Sequence, residues 1–513
     1  MKSDFARVVG SLIFTVSMIM PIGAVETKSG DVEGVSAKDD SVTVFRGIPY
    51  AAPPVGDLRW RPPQPVSKWE TSRRCDRFGN KALQKDRSGD GFGEDCLYLN
   101  VWTSDASSEA KRPVMVWIHG GGLTSGSGHQ PSYEGTEFAK QGVVLVTINY
   151  RLGALGFFAH PALADESPHG SAGNYGFLDQ VAALRWVQDN IASFGGDPDN
   201  VTIFGESAGG TSVYCLLASP MTHGLFHQAI LQSPWLDPSI FHELDQDNAY
   251  GASANQRGQK AANELLGDDE GDPLARLRAI PAEQLMDQMP QRGWTVTVDG
   301  WFLPEDPHLI FEAGKQNPVP VLAGTNRDEG TMFVGPKPYP TVNDYRAEMK
   351  DRYGANADRM LEIYAPESAN QIRAAVVQQI SDQWFIQPTR ELLRAHVKSG
   401  APAFQYHFDR VSQSWSWLGA AHAAEIVYVF NNLTESKKKG IDARLAEAMI
   451  SAWTQFAKSG DPNVESLPTW PAYNEQEDTH LVLGKEFKVG GQLRQEACDA
   501  IDEMLETKRA ILR

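Results

Sequence analysis

The chain has 513 residues, 41% of them hydrophobic, which is enough for a substantial core, and a formal net charge of -18. That charge excludes nucleic acid and anionic membrane surfaces as preferred partners. No repeat, low-complexity tract or linker-like break divides the sequence, so one large domain is expected over residues 25–513.

Lys2 and Arg7 precede an apolar run from Val8 to Met20, closed by Pro21-Ile22-Gly23-Ala24. This pattern predicts a secretory signal over residues 1–24, cut after Ala24, and an exported product. The run is too short to span a bilayer, so no membrane span is expected after cleavage. Residues 42–52 read as an early strand that enters a proline-rich surface segment, and 96–102 alternate like a second strand. The nearly continuous apolar runs 113–118 and 143–148 suit strands covered on both faces. A helix-period stretch follows from Gly176 to Phe194, and then the buried strand Val201-Thr202-Ile203-Phe204. Further strands are expected at 229–233, 319–324 and 403–408. A strong helix is expected from Leu445 to Phe456, and Leu481-Val482-Leu483 closes the sheet. Residues 236–317 and 341–400 read as helical insertions, a cap on an α/β core with helices on both sides of its sheet.

The central strand runs into Gly205-Glu206-Ser207-Ala208-Gly209 and then a helix-like segment. A strand that turns sharply into a helix strains its turn residue, and flanking glycines remove the Cβ atoms that would clash. Ser207 is thereby lifted to the end of the strand above a helix N-terminus and reads as a nucleophile. A serine hydroxyl needs a base, and the base needs a carboxylate to hold its tautomer. Two downstream loops follow strands in the order Ser, Asp/Glu, His. One carries Asp328 and Glu329, between which spacing does not choose; the other carries His422 among small residues. After the strand at 113–118, His119-Gly120-Gly121-Gly122-Leu123 can turn backbone N–H groups onto one point, a site for an oxyanion.

These stretches together resemble the type-B carboxylesterase/cholinesterase family of α/β-hydrolases over nearly all of residues 26–485. The likeness is carried by Phe45-Arg46-Gly47-Ile48-Pro49-Tyr50-Ala51, Glu94-Asp95-Cys96-Leu97-Tyr98-Leu99-Asn100, the His119–Gly122 loop and Asn149-Tyr150-Arg151. Asn174-Tyr175-Gly176, Gly205–Gly210, and Trp453 with Phe456-Ala457-Lys458-Ser459-Gly460-Asp461-Pro462-Asn463 extend it.

The resemblance implies an α/β-hydrolase fold with a large, mostly parallel sheet, and a serine esterase that needs no cofactor or metal and acts on small-molecule esters. It assigns the acid to Glu329, leaving Asp328 structural, and the base to His422. The oxyanion donors match the N–H groups of Gly121, Gly122 and Ala208, and Glu206 and Glu425 match carboxylates that support the site. Leu123 stands where the family usually has an aromatic and is expected at the pocket rim. Trp235 is either a pocket wall or a packed core residue, and Trp415 and Trp417 are expected in the wall. A Cys75–Cys96 disulfide is implied by the family's first bridge, although the cysteine before Phe78-Gly79 is shifted here. A feruloyl-type, lipase-like or amide-cleaving enzyme would use the same triad. A non-catalytic binding protein of this fold usually lacks one of its members, and none is missing here.

Overall fold

Apolar residues on both faces of a strand need cover on both sides. The computed structural model, which describes residues 23–85, 91–267, 271–290 and 293–512, provides it through one large sheet between two layers of helices. In chain order the elements that place the site are β1 (Val35–Ser36), β2 (Thr43–Pro49), β3 (Tyr98–Thr103), β4 (Arg112–Ile118), β5 (Val144–Ile148) and α1 (Tyr175–Asn190). Next are β6 (Gly196–Glu206), α2 (Ala208–Ala218), β7 (Gln228–Gln232), β8 (Val321–Asn326), α3 (Ile372–Ser381) and α4 (Gln387–Val397). The last are β9 (Ala403–Phe408), α5 (Gly440–Ser459), β10 (His480–Leu483), β11 (Phe487–Gly490) and α6 (Gln495–Leu512).

The sheet has 11 strands in the order β11-β10-β9-β8-β7-β6-β4-β5-β3-β2-β1. From β10 to β5 all neighbours run parallel, while β3, β2 and β1 on one side and β11 on the other add antiparallel edges. Side chains alternate between the two faces. Val114, Val116, Ile118, Val146 and Ile203 pack under α1 and α2, whereas Met115, Trp117, Leu145 and Phe204 pack against α5. Register pairs Gly205 with Ile118, Glu206 with Gln232 and Asn326 with Phe408, so the loops leaving β4, β6, β8 and β9 emerge on one edge. Ligands of open α/β sheets bind at that carboxyl edge.

The first insertion holds the helices Ala254–Leu266, Pro273–Ala279, Ala282–Gln288 and Pro307–Glu312, and a small parallel pair, Phe241–Glu243 with Val296–Val298. The second holds Val342–Tyr353, Ala357–Tyr364, α3 and α4. One expectation is corrected at the C-terminus. β10 does not close the sheet, because β11 pairs outside it, and the chain continues into α6. The apolar face of α6 (Ala497, Ala500, Ile501, Met504, Leu505) packs on Tyr345, Met349, Tyr353, Met360 and Tyr364 of the second insertion.

The expected Cys75–Cys96 bridge is absent: Cys75, Cys96, Cys215 and Cys498 are all free, buried thiols. Cys75 is fixed by its own backbone, which bonds to Glu33 on one side and Arg46 on the other. Cys96 packs beside Arg151, Leu152 and Leu155. The signal-like segment falls almost wholly in residues 1–22, outside the described residues; Ala24 opens a short strand, Ala24–Thr27. Among the described residues no helix is long and apolar enough to cross a membrane.

Candidate active site

The turn between β6 and α2 is as sharp as the glycines suggest. Ser207 has φ 57° and ψ -122°, a conformation that non-glycine residues adopt only when their surroundings enforce it. A Cβ on Gly209 would overlap the Ile118 carbonyl, and one on Gly205 would run into the Gly209 backbone, so strand and helix can approach only without those side chains. The Ser207 N–H donates to the Gln232 carbonyl at 2.9 Å and its own carbonyl accepts from Thr211 N–H at 2.9 Å, locking the turn.

Glu329 and His422 meet. His422 Nδ1 lies 2.6 Å from Glu329 Oε2, and Glu329 Oε1 accepts the Asn326 N–H at 2.6 Å. Asp328 closes the seam between their loops: its N–H donates to the Ala420 carbonyl at 2.9 Å, and its carboxylate accepts the Ala420 N–H at 2.7 Å and the Arg327 guanidinium. His422 Nε2 lies 3.1 Å from Glu206 Oε1, near enough for charge attraction, and among the described residues both atoms are buried without a hydrogen-bond partner. Ser207 and His422 line one cavity, and among the described residues the Ser207 hydroxyl makes no hydrogen bond.

Glu425, fully buried, accepts from Gln232 Nε2 at 3.0 Å and from Asn326 Nδ2 at 2.6 Å, while Gln232 Oε1 accepts from Trp453 Nε1 at 3.1 Å. Glu206, Glu329 and Glu425 thus crowd around one imidazole. Burial drives the Glu206 carboxyl up from its ordinary value, and the two neighbouring glutamates add to this against the pull of His422. Burial lowers the His422 pKa, but the carboxylates of Glu206, Glu329 and Glu425 outweigh it and hold the ring above its ordinary 6.5.

Gly121 and Gly122 have φ 108° and 63°, and the Gly121 carbonyl accepts the Ser125 N–H at 3.0 Å. The N–H groups of Gly121, Gly122 and Ala208 have no acceptor among the described residues. Gly120 presses against Ser207: a Cβ there would stand 2.6 Å from the Glu206 carbonyl oxygen and 3.1 Å from the Ser207 Cβ. His119 fixes the loop from behind, stacked on Tyr150 with ring centres 4.5 Å apart and bonded to the Gly120 carbonyl at 2.8 Å.

The cavity measures about 850 Å³. One wall is aromatic: Trp235, Phe333, Trp384 and Phe385, with Phe385 4.7 Å and Phe333 5.2 Å from the His422 ring. The lining also includes the polar residues Thr124, Ser125, Gln130 and Ser132. Of the expected pocket residues, Trp235 is in the wall and two are not. Leu123, at φ 58° and 1% exposed, turns into the core beneath the glycine loop. Trp417 is 68% exposed and lies outside the cavity lining, on a 3-10 turn that faces outward. The side chain of Trp415 lies outside the described residues.

Phe333, Trp384 and Phe385 went unrecognised in the sequence. Phe333 stands only four residues past Glu329, which is a usable signal. Trp384 and Phe385 reach the site through a π turn, Asp382–Ile386, inside an otherwise helical run, and helical periodicity does not reveal such a turn.

A mostly parallel sheet, with a strained serine after its central strand and the other loops on the same edge, is the α/β-hydrolase fold. The carboxylesterase family model matches residues 22–501. The chain is 39% identical over 469 residues to the fumonisin B1 esterase of Sphingopyxis macrogoltabida, covering 88% of this chain and 84% of that protein. It is 36% identical over 492 residues to the para-nitrobenzyl esterase of Bacillus subtilis, covering 91% and 95%. A solved PNB esterase structure superposes with a TM-score of 0.81 at 34% identity, over 93% of this chain and 99% of the other. The chain belongs to the carboxylesterase family and is a carboxylic-ester hydrolase.

Proposed function

We propose that the protein is an exported serine carboxylesterase, a single domain after loss of residues 1–24, in which Ser207, His422 and Glu329 form the triad. Ser207 Oγ attacks the ester carbonyl while His422 Nε2 takes its proton. The N–H groups of Gly121, Gly122 and Ala208 stabilise the oxyanion, and His422 returns the proton to the departing alcohol. Water then attacks the acyl-enzyme, with His422 again as base. Glu329 holds the Nδ1–H tautomer and offsets the charge of the imidazolium. Glu206 and Glu425 support the ring and its loop.

The observation that carries this reading is the 2.6 Å contact between His422 Nδ1 and Glu329 Oε2, with Nε2 left without a hydrogen bond in the cavity that Ser207 also lines. The aromatic wall suits neutral esters with apolar or aromatic groups, as the name para-nitrobenzyl esterase of one relative also suggests. Ser207→Ala is expected to lower kcat on p-nitrophenyl acetate by about 10⁴–10⁶-fold with the fold intact. Retained turnover in that variant rejects the assignment. A preference for anilides over matched esters in the wild-type enzyme rejects the esterase reading of the cavity.

A further inference from the structure

The aromatic wall is not built on the sheet. Trp384 and Phe385 belong to the π turn between α3 and α4, which sits on the second insertion. Such a turn carries an extra residue and has a shorter helical alternative, so something must hold it. Its first residue, Asp382, is fully buried and accepts from four donors on three residues: Tyr364 Oη at 2.8 Å, Gln378 Nε2 at 2.9 Å, and Arg494 Nε and Nη2 at 3.1 and 2.7 Å. Arg494 stands immediately before α6, at φ 51°. On the far side of the turn, Arg390 of α4 reaches Asp499 of α6 at 2.6 Å, and Gln387 reaches Asp502 at 2.7 Å. α6 and the residue just before it therefore clamp the π turn from both ends. The same helical block also touches the acid loop, since Ser381 Oγ accepts the Gly330 N–H at 2.9 Å.

We propose that Arg494 and Asp382 are positioning residues for substrate selection: the C-terminal helix, through this ion pair, fixes Trp384 and Phe385 and so sets which esters the cavity accepts. The proposal rests on the Ser207 cavity being the ester site. Small acyl groups need only the serine, the imidazole and the amide nest, all carried by loops of the sheet edge. Bulky aromatic acyl groups also need the wall in register, and a misplacement of about 1 Å can cost about 10²-fold in rate.

The experiment compares p-nitrophenyl acetate with p-nitrophenyl benzoate in Arg494→Met, Asp382→Asn and Arg494→Lys. Arg359→Ala serves as the control, because Arg359 also reaches α6, through Glu496 at 3.0 Å, but on the surface and away from the turn. In Arg494→Met and Asp382→Asn, KM for the benzoate is expected to rise about tenfold, with kcat on the acetate within about twofold of wild type. Arg494→Lys is expected to restore part of the acetate-to-benzoate ratio, and Arg359→Ala to leave it unchanged. Should Arg494→Met fail to fold, the near-isosteric Asp382→Asn decides. A ratio that stays constant in Asp382→Asn, or that moves equally in Arg359→Ala, overturns the proposal. Loss of the triad reading shows separately, as turnover in Ser207→Ala.

Discussion

Single residues at the turn after β6 store strain that their neighbours enforce. A non-glycine residue at positive φ costs about 1–3 kcal/mol, and Ser207 bears this because strand and helix hold it between Gly205 and Gly209. Gly209→Ala is expected to lower stability by several kcal/mol in urea titration, since its Cβ has no room beside the Ile118 carbonyl. Gly120→Ala also meets backbone, the Glu206 carbonyl oxygen at 2.6 Å, together with the Glu206 carboxylate at 2.9 Å and the Ser207 Cβ at 3.1 Å. It is expected to lower kcat by about 10²-fold by shifting the amide nest, besides lowering stability. The raised pKa of His422 gives a pH prediction. The base must be neutral to act, so a raised value places the acidic limb of kcat/KM above the ordinary 6.5 of histidine. Glu206→Gln removes one of the carboxylates that raise it and is expected to move that limb to lower pH. A limb that stays in place or moves up contradicts the role given to Glu206. Loops directly coupled to strand ends made Ser207 and His422 candidates and offered Asp328 or Glu329 as the acid; only the family resemblance chose Glu329. Leu123 and Trp417 were misplaced because a rim side chain's direction depends on packing: Leu123 is turned inward by a positive φ that its neighbours impose.

Elements bring these residues together in different ways, and this decides how legible they were. The strands β4, β6, β8 and β9 were readable as apolar or β-branched runs in the sequence, and their register fixes where the loops start. The closure of the acid loop onto the base loop was not readable. It depends on Asp328, which joins Ala420 through both backbone and side chain. Asp328→Ala is expected to lower kcat about 10–10²-fold with little change in KM, because Glu329 loses its fixed approach to His422. Unchanged kcat would show that the 2.6 Å Glu329–His422 bond holds the loops without it. The π turn was only half legible: Pro388 has no N–H to give the Trp384 carbonyl, a local signal of an irregular turn, but the Arg494 contact that ties Asp382 down comes from more than 100 residues downstream.

The molecule is built on one large sheet whose cover on both faces was expected from continuous apolar strand runs, with loops and helical insertions at its carboxyl edge that line the cavity. Its scaffold contains a buried ion pair, Arg151 with Asp179, joined at 2.7 Å with side chains 3% and 0% exposed. Arg151→Met leaves Asp179 buried without its partner and is expected to lower stability by about 3–5 kcal/mol in denaturant titration, while replacing both residues with apolar ones restores part of it. Substrate range was not readable, because the wall comes from three separated segments carrying Trp235, Phe333 and the Trp384-Phe385 pair. The central claim, that Ser207 is the atom acylated, is tested most directly by reacting the enzyme with an aryl phosphonate and mapping the adduct by tandem mass spectrometry. One phosphonyl group per chain on Ser207, formed in step with loss of esterase activity, is the predicted result. Activity lost while Ser207 stays unmodified contradicts it.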